Sequence, residues 1–507
     1  MEPVKRIMVN TVAQYIKALV NICLSLYSTR LVLSALSMND YGIYSVVAGL
    51  VAMLGFMTNA LVITTQRYIS YCLGSGDTAY VRKLFVNSLF LHEVIGLGLA
   101  IVLLCPQDWL MNHVLNIETD RIQAASTVYG IMVFMLFVTV VTAPFKALFV
   151  ARENIVYISV VEVCDGILKL LLAASLTKVA ADRLLVYAGM MSLILGFNFL
   201  AFVLYAKTHF AECSVWVRFR DIDRGALLRL VAFAGWTTYG MGAVATRNQG
   251  TAVILNHFFG TVVNAAYGIA FQVQSAVSFL STSVLNAMNP QIMKAEGMGD
   301  RERAVMLAER ESKYSTLLMS LVVVPLIIEM PSVLDFWLEE VPEGAVMFCR
   351  FVLFTFLCDQ MTYGLHTLNQ ALGRIRLYTL WAYTPKLLTL PLIWCVLRWG
   401  GGVQMAMGLY LLLELLVSLF RLPYLKYTAG VGILHFLTQV ILPLLLLCSV
   451  LALIGIACTL WLGAFPFWGN MAIMLFVGTF VVWFVILDNS ERAMLRWFVN
   501  FEKRKVR

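Results

Sequence analysis

Apolar residues run along this chain in stretches of about twenty or more, broken by short clusters of charge, from Asn10 to Leu487. A bilayer core of ~30 Å needs about 20 mostly apolar residues per helix, so each run is long enough to cross one. The run ILPLLLLCSVLALIGIACTLWL at residues 441 to 462 shows no alternation of apolar and polar positions. It therefore selects helices over the strands of a closed barrel. The pattern predicts spans at 10–36, 41–66, 83–105, 122–149, 155–177 and 184–206. A polar stretch, KTHFAECSVWVRFRDIDRGALL at 207–228, then interrupts it. A second set follows at 229–256, 261–291, 314–337, 346–370, 377–397, 403–427, 435–462 and 468–487.

Composition agrees with lipid as the solvent. The 507 residues are 61% hydrophobic and 13% charged, with a mean hydropathy of +0.83, outside the range of soluble globular domains. The ten cysteines lie mostly inside apolar runs without CxxC or metal-ligand spacing and read as small core residues. The basic start MEPVKRIMVN resembles a signal peptide, but the apolar run after it is too long and lacks a small-residue cleavage site. It reads as a retained first span.

The net charge of +8 suggests a nucleic-acid partner only until its positions are read. With the N-terminus inside, the inner segments hold 26 Lys and Arg residues, Arg67, Lys294, Lys313 and Arg421 among them, while the outer segments hold 4. This asymmetry places both termini in the cytoplasm and supports an even number of spans. Fourteen satisfies it, with twelve or thirteen left open if a C-terminal run is re-entrant.

The chain also repeats itself. NDYGIYSVVAGLVAMLGFMTNALVITTQRYISYCLGSGD (39–77) is similar to NAAYGIAFQVQSAVSFLSTSVLNAMNPQIMKAEGMGD (264–300). Tyr41, Gly42 and Ile43 fall on Tyr267, Gly268 and Ile269, Gln66 on Gln291, and Gly76-Asp77 on Gly299-Asp300. Transporters are often built from such repeats. The expected architecture is all-α and integral to the membrane, with two pseudo-symmetric six-helix lobes around a central cavity. Its divisions are an N-lobe (1–206), a linker (207–228), a C-lobe (229–430), and an additional helix pair with a basic tail (431–507).

On these segments, with YSTRLVLSALSMNDYGIYSVVAGLVAML, QRYISYCLGSGD and ILNHFFGTVVNAAYGIAFQVQSAV, the chain resembles the multidrug, oligosaccharidyl-lipid and polysaccharide (MOP) exporter superfamily. Within it, the likeness is to Wzx-type bacterial flippases. The resemblance implies alternating access and an undecaprenyl-pyrophosphate-linked oligosaccharide as cargo for lipopolysaccharide, capsule or exopolysaccharide. It also implies residence in the bacterial cytoplasmic membrane, beside a polysaccharide polymerase or export machinery.

Ionisable groups at membrane depth cost ~2.5 to 3.5 kcal/mol on insertion scales, so each needs a reason. Lys17 lies roughly 11 Å into the first span and Arg247 roughly 15 Å from the outer end of the seventh, at 1.5 Å per residue. Arg30 is nearer its outer end and in reach of headgroups. These three are candidate contacts for a pyrophosphate, since guanidinium and ammonium groups both bind phosphate oxygens. The alternative for each is pairing with a buried carboxylate. Asp359, Tyr363 and His366 share a stripe on the tenth span, with Lys386 and Glu414 on the next two. Asp359, His366, Lys386 and Glu414 are candidates for lining a cavity or coupling an ion, or for an interhelical network. Glu162, Asp165 and Lys169 fall on one helical face, where Asp165 and Lys169 can neutralise each other. Lys146 and Arg350 read as snorkelling, and Glu329, between Pro325 and Pro331, as marking a kink.

No phosphate loop, HExxH or nucleophile elbow occurs, so no cofactor, metal or covalent chemistry is expected. Two other readings compete. A cation- or proton-coupled drug exporter of the same superfamily needs membrane-depth carboxylates free of Lys and Arg. A membrane glycosyltransferase or polymerase needs a large loop rich in acids or histidines.

Overall fold

The structure, a computed structural model, describes residues 3–36, 38–52, 54–114, 118–213, 222–338, 340–461, 466–489 and 491–493. Within them the chain is helical, with no strand. The first set comprises α1 (Pro3–Ala35), α2 (Met38–Ala52), α3 (Gly55–Ser75), α4 (Thr78–Leu104), α5 (Ile122–Ala151), α6 (Ile155–Ser175) and α7 (Arg183–His209). The second comprises α8 (Arg224–Phe259), α9 (Thr261–Gly297), α10 (Arg301–Ile328), α11 (Met330–Trp337), α12 (Ala345–Gln360), α13 (Tyr363–Leu372), α14 (Ile375–Arg398) and α15 (Val403–Ala429). α16 (Leu442–Trp461) and α17 (Phe467–Val481) close the chain.

Every predicted span coincides with helix, but the spans differ in character. Among the described residues, ten helices are individually long and apolar enough to cross a membrane, or eleven with the bent α12–α13 pair. The three predicted spans outside that number are the polar ones. The 41–66 span divides into α2 and α3, α6 carries Glu162, Asp165 and Lys169, and α8 carries Arg247 among Thr, Asn, Gln and Gly. Two predicted continuous helices are also broken. The 346–370 span bends by 45° between Gln360 and Tyr363. The 314–337 span ends its first helix at Ile328 and restarts at Met330, beside Pro331. Glu329 sits at that break, where its carboxylate accepts from Asn470 Nδ2 at 2.9 Å, so the expected kink is present and ties α17 to α10.

The repeated Gly-Asp loops do the same work twice. Gly76 (φ +79) closes α3 and Gly299 (φ +78) turns the chain after α9, in the left-handed region that glycine adopts without Cβ strain. The next residue caps the following helix: Asp77 accepts from Tyr80 N at 3.0 Å and Asp300 from Arg303 N at 3.1 Å.

The described residues form two compact units. One contains 9–242 with 293–299, and the other contains the first eight residues, 243–292 and 300–507. The boundary thus falls at Gly242 inside α8, because Phe233 packs edge-on against Tyr68 (5.7 Å between centroids) and Ala234 joins a core with Leu61, Leu136 and Val140. Of the 207–228 stretch, residues 214–221 lie outside the described residues, as do 494–507 of the basic tail. In the second unit α16 and α17 pack on α10. There Lys313 Nζ bonds both oxygens of Glu491 at 3.0 Å and Tyr314 donates to the same carboxylate at 2.7 Å.

Several basic residues read as inner-loop charges are instead held inside their units. Arg67 is buried beneath Tyr68, Tyr71 and Phe233, Lys294 pairs with Glu153, Lys313 pairs with Glu491, and Arg421 is almost fully buried in α15. Helices extending past the apolar core carry these cations into packed protein. Arg350 donates to the carbonyls of Ile327 and Ile328 at 2.9 and 3.3 Å, closing the end of α10 rather than simply reaching outward.

At the loop end of the first unit, Arg121 joins the first turn of α2 to the cap of α7, reaching Asp40 Oδ1 at 2.5 Å and Asp182 Oδ2 at 2.7 Å. Its guanidinium holds the Asp182 carboxyl below the usual carboxylate range. A depressed folded-state value means that this contribution is complete above the unfolded value of about 3.9 and disappears as pH falls through the folded one. Arg121→Ala is expected to cost about 1 kcal/mol at pH 7 and progressively less towards pH 3. Thermal unfolding in detergent across that range checks it, and a pH-independent difference contradicts it.

Candidate functional site

Five charged side chains converge in the second unit. On α15, Tyr410, Glu414, Val417 and Arg421 recur every three or four residues and form one buried stripe. Glu414, 1% exposed, lies between two cations: Arg247 of α8, which donates through Nη1, and Lys386 of α14, with Nζ at 2.5 Å. Lys386 lies 4.0 Å from Asp359 of α12, whose Oδ1 accepts from Arg421 Nη2 at 2.7 Å. The guanidinium of Arg247 also lies 4.3 Å from the centroid of the Tyr410 ring, and Tyr410 OH donates to Asn248 Oδ1 at 3.0 Å.

Arg421 also accounts for the broken helix. Its Nη1 donates to the backbone carbonyl of Asp359 at 3.1 Å and to Thr362 Oγ1 at 3.0 Å, on either side of the 45° bend. A carbonyl at a break needs partners inside a membrane, and this guanidinium supplies one to Asp359. Beyond the bend, His366 faces Tyr378 OH at 3.2 Å, Gln370 at 3.0 Å and Tyr383 OH at 3.4 Å. It belongs to an aromatic and amide network, one layer away from the charges.

The first unit holds a similar group. Lys17 of α1 pairs with Glu162 Oε2 at 2.9 Å, and Lys146 of α5 reaches Oε1 of the same carboxylate at 3.4 Å. One turn along α6, Asp165 pairs with Lys169 at 2.7 Å, the expected helical pair, and accepts from Asn198 of α7 at 2.6 Å. Lys146 thus turns to Glu162 instead of snorkelling freely. With each broken span counted once, both groups use the same places in their sets: the first, fourth, fifth and sixth helices. Each contains three cations and two carboxylates.

Lys17 and Arg247 therefore lie in different units, and each is locked onto a carboxylate of its own unit, the alternative that the sequence left open. Arg30 is exposed on α1. Asp359, Lys386 and Glu414 come together with Arg247, while His366 stands apart. Sequence reasoning missed Arg421, although its seven-residue spacing from Glu414 was the available signal. It also missed Glu311 of α10, which is fully buried. Glu311 Oε1 accepts from Thr367 at 2.9 Å and, with the Asn289 amide turned to donate, from Asn289 at 3.0 Å. Among the described residues, no cation lies within ion-pair distance of Glu311.

The sequence matches no known family pattern and no curated protein. Its fold does have solved counterparts. A MOP superfamily transporter from Pyrococcus furiosus, whose binding pocket is described as of reverse polarity, superposes with a TM-score of 0.68 at 13% identity over 86% of this chain and 97% of its own. A MATE in its straight conformation gives 0.71 at 14% identity over 85% and 97%. An outward-facing multidrug resistance MATE transporter gives 0.70 at 13% identity over 85% and 96%. The chain has the fold of these transporters.

The cluster of the second unit makes a prediction about stability. Removing a carboxylate leaves three cations facing one acid, whereas removing Lys386 leaves two balanced pairs. Stranding buried charge costs about 3–5 kcal/mol, so Glu414→Gln is expected to unfold well below Lys386→Met in a thermal melt of purified protein. Equal losses from the two substitutions contradict the charge count.

Proposed function

We propose that this chain is a flippase that turns over an undecaprenyl-pyrophosphate-linked oligosaccharide across the bacterial cytoplasmic membrane by alternating access, with both termini cytoplasmic. The observation that carries this reading is the charge count of the two clusters: in each, three cations face two carboxylates. A surplus cation in low dielectric is costly, and an anionic headgroup offsets that cost when it binds. Pyrophosphate suits the groups present, since guanidinium forks onto its oxygens and ammonium meets it as a point charge. Arg247, Lys386 and Lys17 each hold a carboxylate that an incoming phosphate exchanges for itself. Such an exchange gives the cargo differential affinity for one conformation, as a ligand-driven transition requires. Glycan consumption on the far side, by a polymerase or export machinery, then sets the direction.

One observation favours the second reading, a cation- or proton-coupled exporter of the MATE type. Glu311 is a buried carboxyl without a Lys or Arg partner among the described residues, the kind of group that cation coupling uses. The two readings give opposite results in one experiment. A strain lacking the resident flippase of a defined glycan pathway is supplied with this chain, and surface polysaccharide and ethidium resistance are scored together. Restored glycan is expected, with Lys386→Met accumulating normally in the membrane but exporting at least tenfold less. Ethidium resistance without glycan contradicts the flippase reading and supports the exporter.

A further inference from the structure

The first unit encloses a cavity of about 390 Å³ between α1, α2, α6 and α7, at the small end of the range of about 300–1,000 Å³ typical of small-molecule sites. It has room for roughly a dozen water molecules at ~30 Å³ each, space that admits a single pyranose ring with its substituents. Three tyrosines, Tyr41, Tyr44 and Tyr187, form one part of the wall, with Tyr44 and Tyr187 packed edge-on at 4.9 Å. All three rings remain partly exposed. Opposite chemistry comes from α1 and α6: Asn21 and Ser28 share one face of α1, and Glu162, Asp165 and Lys169 line the α6 side. Asn21 Oδ1 and Ser28 Oγ are both buried and have no hydrogen-bond partner among the described residues. Gly166 lets α1 approach this closely, since a Cβ there would stand 2.9 Å from Leu24 Cδ1 and 3.0 Å from Asn21 Oδ1.

We infer that this cavity is a subsite for a neutral or acidic sugar ring of the cargo, bordering the first unit's charge cluster through Glu162, Asp165 and Lys169. Tyrosine rings present flat apolar faces to the C–H face of a sugar, and their hydroxyls reach its rim. Side-chain oxygens at Asn21 and Ser28 and the outer lone pairs of the two carboxylates take its hydroxyls as hydrogen-bond acceptors. Charge decides against an organic cation. Aromatic walls with carboxylates commonly take cations, but here Glu162 already holds Lys17 and Lys146, and Asp165 already holds Lys169. No uncommitted negative charge remains, so an amino sugar or a drug cation would meet the Lys169 ammonium in the wall with both carboxylates already neutralised.

The inference rests on the flippase reading, and its test separates the two. Purified full-length protein in lipid nanodiscs is titrated with the methyl glycosides of glucose, galactose, N-acetylglucosamine and glucuronic acid, and with tetraphenylphosphonium. Saturation-transfer NMR reports contact with ring protons. At least one glycoside is expected to bind saturably. Tyr187→Ala and the filling substitution Ser28→Trp should each weaken it at least tenfold, and Tyr187→Phe, which keeps the ring, should retain it. Unchanged melting temperature and elution confirm that each variant is folded. Binding of no glycoside, binding indifferent to all folded cavity variants, or cavity-dependent binding of tetraphenylphosphonium overturns the subsite. Glycan export by the wild-type chain in the deletion strain is read separately. Export that persists in Tyr187→Ala overturns the subsite and leaves the flippase, while absence of export by the wild type counts against the flippase itself.

Discussion

A carboxylate held between two cations, Glu414 between Arg247 and Lys386, is the interaction on which the second unit depends. It joins α8, α14 and α15, and through Lys386 and Asp359 it extends to Arg421 and the bent α12–α13 span. Helices in lipid gain little from hydrophobic contact with one another and rely on packing and polar bonds. A buried ion cluster joining four helices therefore both costs desolvation and fixes their arrangement. The first unit solves the same problem with other residues: its acids sit on the fifth helix, while in the second unit they sit on the fourth and sixth. What the two clusters share is the number of charges, with one cation left over in each.

The spans were legible because apolar runs of membrane length are a strong signal, and the Gly-Asp repeat was legible because the same turn and cap are needed twice. The broken helices were not. Nothing local in MTYG signals that the span at 346–370 divides there, since the partner that stabilises the break, Arg421, is 59 residues further along the chain from Thr362. Positive charges also misled in one respect. Arg67 and Arg421 flank apolar runs, as loop residues do, yet helices that outlast the membrane core carry them into packed protein. Charge position along the sequence reports burial poorly residue by residue.

Among the candidate residues, membrane depth correctly singled out Lys17, Arg247, Lys386, Glu414 and Asp359 as needing partners. It could not say which partners, because ion pairs between helices distant in sequence, such as Arg247 with Glu414 or Lys17 with Glu162, have no local signature. The cavity of the first unit was hidden for the same reason. Its tyrosines come from α2 and α7, and in the sequence each reads as an ordinary interfacial aromatic. Glu311 was obscured by its setting, AERESK at 308–313, which looks like a solvated helix face although α10 buries one side of it.

The surplus cation is the central claim, and competition between lipids tests it most directly. Native mass spectrometry of the purified chain with equimolar undecaprenyl pyrophosphate and undecaprenol compares a charged and an uncharged headgroup on the same tail. Preferential retention of the pyrophosphate, lost when Lys386 is replaced by Met, is the predicted result. Equal retention of both lipids by the wild-type protein would contradict it.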